Sequence, residues 1–157
     1  MKKLLFAFGA AALLTVTSCE KTANNINPGS WTFMNATIIP SSCSANGNDV
    51  SAITNGGSES LAVLFGLGNS TLPTNGAYTV NSGGTPNHGN YAAIVLTVIS
   101  GPNQTIYYAT GGNGIGQIVN VSVSSAGNLT LTGNNIEMVA SSLPHDSAAL
   151  SFGISQQ

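Results

Sequence analysis

The sequence predicts an all-β chain: an antiparallel β-sandwich of about eight or nine short strands. Two observations carry this prediction. Apolar and polar residues alternate strictly over several short runs, and Asn-Gly or Gly-Asn pairs separate the runs at intervals of roughly ten residues. Helical periodicity is not sustained over any stretch of the body.

In chain order, strands are expected at residues 31–39, 60–66, 77–80, 91–99 and 105–110. The clearest ones follow. Over residues 118–124, Val119, Val121 and Val123 face one side, and Asn120 and Ser122 the other. Leu129 and Leu131 alternate with Thr130 and Thr132, residues 135–140 form another run, and Leu150, Phe152 and Ile154 alternate with Ser151, Gly153 and Ser155. Period-two alternation marks half-buried antiparallel strands, with one face on a core and one in water. The turns between them carry Asn46-Gly47, Asn55-Gly56-Gly57, Asn75-Gly76, Asn113-Gly114 and Gly127-Asn128, residues that tolerate the positive φ of tight hairpins. A small β-barrel satisfies the same pattern. The Cys…Trp…Cys spacing of immunoglobulin domains is missing, so any likeness to that fold is architectural only.

Two runs are apolar on both sides. In residues 91–99, Ile94, Leu96 and Val98 point one way, and Val95 and Ile99 the other. The neighbours Tyr107 and Tyr108 must likewise face opposite sides. The second face is therefore either covered by the chain's own loops, residues 81–90 or 141–147, or left as an apolar patch for a partner.

The N-terminus has a separate logic. Met1-Lys2-Lys3 is a short basic start, and residues 4–16 carry no charge. As a helix such a segment spans about 20 Å, short of the roughly 30 Å hydrocarbon layer, so it reads as a secretion signal and not as a membrane span. It ends in Val16-Thr17-Ser18-Cys19, which resembles the lipobox of bacterial lipoproteins. That resemblance implies cleavage ahead of Cys19 and lipidation of its sulfur, giving stable membrane anchoring through two or more acyl chains. The chain then divides into a signal peptide (1–18), a lipidated cysteine with a flexible tether ending in Pro28-Gly29 (19–29) and one sandwich domain (30–157). The domain is long enough to bury roughly two-thirds of its unfolded surface unaided.

Charge restricts function. The chain has no arginine, and beyond residue 19 a single lysine, Lys21, stands against five carboxylates, a formal charge of −4. Phosphate neutralisation needs clustered Lys and Arg, so nucleic-acid binding is excluded, and an anionic-lipid patch is disfavoured. Solubility comes instead from neutral polar groups: Ser, Thr, Asn and Gly make up 71 of the 157 residues.

Groups able to carry chemistry are few. Glu59, Glu137, Asp49 and Asp146 are scattered, so paired carboxylates for hydrolysis require two of them to meet in the fold. His145-Asp146-Ser147 supplies the residue types of a catalytic triad, but adjacent positions cannot converge as a triad must. Clustered metal ligands are absent, so neither a metal site nor a cofactor is implied. Gly112-Asn113-Gly114-Ile115-Gly116 is glycine-rich but precedes a strand, whereas phosphate loops precede a helix. With Cys19 lipidated, Cys43 has no disulfide partner and is expected at or just after the end of the first strand, buried and inert. The expected role is therefore non-enzymatic, structural or binding. The alternative is carbohydrate binding, with Trp31, Tyr78, Tyr91, Tyr107 and Tyr108 as candidate stacking platforms.

The body also resembles a family. Trp31-Thr32-Phe33, Ser41-Ser42-Cys43, the run from Pro73 to Val80, Tyr107-Tyr108-Ala109-Thr110-Gly111-Gly112, the Val-rich strand and the closing segment from Leu150 occur in an order similar to small uncharacterised lipoproteins of the Bacteroidota. The resemblance implies an outer-membrane address, with the periplasmic face or the cell surface left open; separately, a glycan or another envelope protein is the candidate partner. The resemblance implies no activity. Asp146-Ser147-Ala148 resembles the short O-glycosylation acceptor of the same bacteria, which makes Ser147 a candidate modification site.

Overall fold

The computed structural model describes residues 28–111 and 117–156. The expected signal segment, Cys19 and the expected tether as far as residue 27, the 112–116 glycine run and Gln157 lie outside the described residues. Apart from one turn of 3-10 helix at Asn55–Gly57, the ordered elements are strands: β1 (Gly29–Phe33), β2 (Ala36–Ile38), β3 (Ser42–Asn46), β4 (Asp49–Ile53), β5 (Glu59–Phe65), β6 (Gly76–Val80), β7 (Tyr91–Ser100), β8 (Asn103–Ala109), β9 (Ile118–Val123), β10 (Leu129–Ala140) and β11 (Ser147–Ser155). The all-β prediction holds, with eleven strands among the described residues in place of eight or nine.

The extra strands have local causes. Residues 31–39 are not one strand. Met34 and Asn35 both adopt positive φ (49° and 65°), and the chain folds back there so that Phe33 pairs with Ala36. β3 and β4 form a hairpin through Gly47 whose inward residues, Cys43, Ala45, Val50 and Ala52, are too small to stand out as an apolar alternation. In the opposite sense, two expected runs fuse into the twelve-residue β10. A bulge between Gly133 and Ile136, with Asn135 at φ 50°, inserts one residue against β11 and keeps Leu131 and Ile136 both facing the core.

The strands run β2-β1-β11-β10-β9-β6-β7-β5-β4-β3. Two long strands serve two neighbours each along one of their edges. β10 pairs with β9 through its first half and with β8 through its last, while β7 starts parallel to β6 and continues antiparallel to β8. The path β10-β9-β6-β7-β8-β10 therefore closes, and β11-β1-β2 and β5-β4-β3 extend from it. The fold is a sandwich joined along β7 and β10, which gives it barrel character.

Between the layers lies one core, including Trp31, Phe65, Leu61, Ile94, Leu96, Leu131, Met138 and Ile154. Burying each such side chain contributes roughly 1.5–3 kcal/mol. Edge-to-face contacts tie the layers, Phe33 on Tyr107 at 4.8 Å and Phe65 on Tyr78 at 4.7 Å between ring centroids. Gly29 already belongs to β1, one residue inside the expected tether, through its pairing with Ile154, and only glycine fits there because the Gly153 carbonyl occupies the space a Cβ would need.

The second apolar face is partly covered by the chain itself. The loop of residues 81–90 crosses the outside of β7 and β8, pinned by Asn81 N–H to the Ala92 carbonyl and Gly83 N–H to the Ala109 carbonyl, both at 3.0 Å. Gly84 packs on the ring of Tyr108 and on Val95. Farther along, Ile53 and Ile99 remain exposed.

Candidate functional site

The five aromatic candidates separate by burial. Trp31, Tyr78 and Tyr107 are 1%, 3% and 7% exposed and belong to the core, so their faces are taken up by packing and cannot stack on a ligand. Trp31 Nε1 has no hydrogen-bond partner among the described residues. The Tyr78 hydroxyl is tied to its own approach loop, donating to the Thr74 carbonyl at 3.3 Å and accepting from Thr74 N–H at 3.1 Å. Sequence alternation could not expose this, because strands place aromatics inward as readily as outward. Tyr91 is 38% exposed and Tyr108 half-buried. Both point outward from the same sheet, since Val95 pairs with Tyr108 and Tyr91 shares the outward parity of Val95.

The titratable groups stand apart. Glu59 is on the inward side at the start of β5, whereas Glu137 faces outward from β10 and accepts the Thr110 hydroxyl at 3.1 Å. Two strands, β7 and β8, intervene. Asp49 opens β4 and accepts the Ser51 hydroxyl at 2.8 Å. His145 Nδ1 lies 3.0 Å from the Ala140 carbonyl in the β10–β11 loop, and Asp146 and Ser147 follow it, exposed. No three of His, Cys, Asp and Glu come together among the described residues. Cys43 sits inside β3 and not at the end of the first strand, because residues 31–39 split into β1 and β2 and Ser42–Asn46 forms a strand of its own. It is buried and free, and desolvation pushes its thiol up to about 11.

Among the described residues, a cleft of about 360 Å³ at the end of β5 is large enough for a small ligand. A second, beside Thr74 and Asn90, measures about 100 Å³. Three segments build the larger cleft: the β3–β4 turn with Asn48, the bend after β5 with Leu67 and Asn69, and residues 85–88 with Thr85, Pro86 and His88. Leu64 and Phe65 also line it. Asn48 and Phe65 bond reciprocally at 2.8 Å, the amide Nδ2 donating to one carbonyl and Phe65 N–H to the other. Two glycines allow the walls to close in. The Asn69 carbonyl stands where a Gly47 Cβ would be, and the Asn87 carbonyl where a Gly66 Cβ would be. Asn81 staples the third wall, donating to the Ser82 and Thr85 carbonyls and accepting Asn87 N–H.

Sequence reasoning missed this cleft. Its residues come from three turns up to 40 positions apart and share no motif. The nearest thing to a signal is glycine at 47 and 66, which marks close backbone approach without saying what approaches. No protein-family model, no curated protein and no solved structure matches the chain.

Proposed function

We propose that the chain is a lipid-anchored protein of the bacterial cell envelope, of the Bacteroidota type, with a non-enzymatic binding role. The lipobox Val16-Thr17-Ser18-Cys19, directly behind a basic start and an uncharged segment, carries this reading. The cleft at the end of β5 supports binding over a purely structural role. Replacing Cys19 with Ala should release the protein from membranes or leave the uncleaved precursor. Unchanged membrane fractionation and processing of Cys19→Ala would sink the proposal. Protease accessibility on intact cells then distinguishes the surface from the periplasmic face of the outer membrane.

A second reading, carbohydrate binding, is favoured by Tyr91 and Tyr108, which reach solvent on the same outward sheet face. Sugar rings stack on such aromatics, and a surface of neutral amides and hydroxyls suits them. Binding of the full protein to immobilised glycans tests it, and a complete lack of glycan binding counts against it.

A further inference from the structure

We infer that the cleft formed by Asn48, Leu64, Leu67, Asn69, Thr85 and His88 is a ligand site, and that its ligand is a neutral saccharide unit. The inference rests on the carbohydrate-binding reading but locates the site away from the tyrosine faces.

Three observations converge. First, the cleft is pre-organised. Backbone approaches at Gly47 and Gly66, the reciprocal Asn48–Phe65 bonds and the Asn81 staple fix all three walls. Walls already ordered lower the entropic cost of binding.

Second, its polar groups are available. Asn69, Thr85 and His88 are exposed, and their side chains make no hydrogen bond to the described residues. Asn48 uses its Nδ2 on the Phe65 carbonyl, which leaves its Oδ1 to accept from a ligand. Amides and hydroxyls both donate and accept, as adjacent sugar hydroxyls require. Leu64, Leu67 and Pro86 give the same cleft an apolar side that suits the C–H face of a pyranose.

Third, no Lys, Arg, Asp or Glu lines the cleft, and His88 is its one titratable side chain. No Lys or Arg occurs anywhere after Lys21, so a phosphate, sulfate or uronate would lose its hydration without a Lys or Arg to pair with. Asp49 is the nearest carboxylate in sequence, paired with Leu64 across the ladder, and its Oδ1 is engaged by Ser51.

The test uses the full lipidated protein in detergent micelles, titrated calorimetrically with neutral gluco-, manno- and galacto-oligosaccharides and with oligogalacturonate. A neutral oligosaccharide should bind and oligogalacturonate should not. Asn69→Ala and His88→Ala should each weaken binding about fivefold, the loss of one neutral hydrogen bond, with melting temperature unchanged because both side chains are exposed. Tyr91→Ala should leave affinity as it is. Loss of binding in Tyr91→Ala with Asn69→Ala and His88→Ala unaffected would overturn the cleft and leave the carbohydrate reading standing. Stronger binding of oligogalacturonate would overturn the neutral ligand. No binding of any saccharide would overturn the inference and the reading beneath it together.

Discussion

The carbonyl oxygen of Asn87 occupies the space that a Cβ on Gly66 would need. Gly66 N–H bonds the Tyr91 carbonyl at 2.9 Å, and its own carbonyl accepts Gly89 N–H at 2.8 Å, so neither backbone can move aside cheaply. Gly66→Ala should therefore displace the cleft wall and destabilise the fold by about 1–3 kcal/mol. Gly68, two residues on, has ordinary φ and only the Thr71 hydroxyl oxygen at 3.6 Å near its Cβ position. Gly68→Ala should be close to neutral. Chemical denaturation of the two variants decides the matter, and equal costs would show that crowding at Gly66 is not the cause.

Asn81 makes three hydrogen bonds across the loop that covers the outer sheet face. Asn81→Ala should cost about 1–2 kcal/mol. The damage should be local. Amide exchange should accelerate over residues 82–89 and stay slow in β5 and β7, whose ladder hydrogen bonds are untouched. Faster exchange across the whole core would mean that the loop is integral to global stability.

The outline of the fold was legible wherever one face is apolar and the other polar. β9, with Val119, Val121 and Val123, was plain for that reason. So was the opposition of Tyr107 and Tyr108, one buried and one half-exposed. Legibility failed where the signal depends on partners distant in sequence. β3 and β4 bury Cys43 and Ala52, small residues whose burial follows from Leu61 lying next in the same row. The β10 bulge shows only once β11 fixes the register. The cleft was illegible because Asn48, Asn69 and His88 meet by tertiary approach alone, and the core positions of Trp31, Tyr78 and Tyr107 depend on which layer each strand joins.

The β1–β2 turn places Met34 at φ 49°, a conformation that Asn adopts far more readily than Met. Met34 is 47% exposed, so its side chain contributes little packing. Met34→Asn should stabilise the protein by about 0.5–1 kcal/mol. A raised denaturation midpoint with an unchanged slope is the expected result. A destabilised variant would show that Met34 packing outweighs the backbone strain.

Cys43 should be silent chemically and visible in the pH dependence of stability. Its thiol is held at about 11 against 9.0 for a free one because burial penalises the thiolate. At pH 8 about one thiol in a thousand is ionised, so the folded protein should resist thiol reagents. After denaturation the mature chain should titrate as a single thiol, Cys43, if Cys19 is a thioether. Two thiols would contradict lipidation, and none would reveal a disulfide. The sign of the linkage follows from proton binding. The folded state keeps its proton longer than the unfolded one, so stability is level below pH 9 and falls between pH 9 and about 11. The slope attributable to one such group is at most about 1.4 kcal/mol per pH unit. Subtracting the profile of Cys43→Ala removes every contribution common to both proteins and should leave that decline alone. Cys43→Ser should cost about 1–3 kcal/mol at neutral pH, since the new hydroxyl enters a row of Ala52, Leu61 and Leu96 with no polar side chain to meet it. A difference profile that stays flat through pH 11 would place the thiol in contact with water.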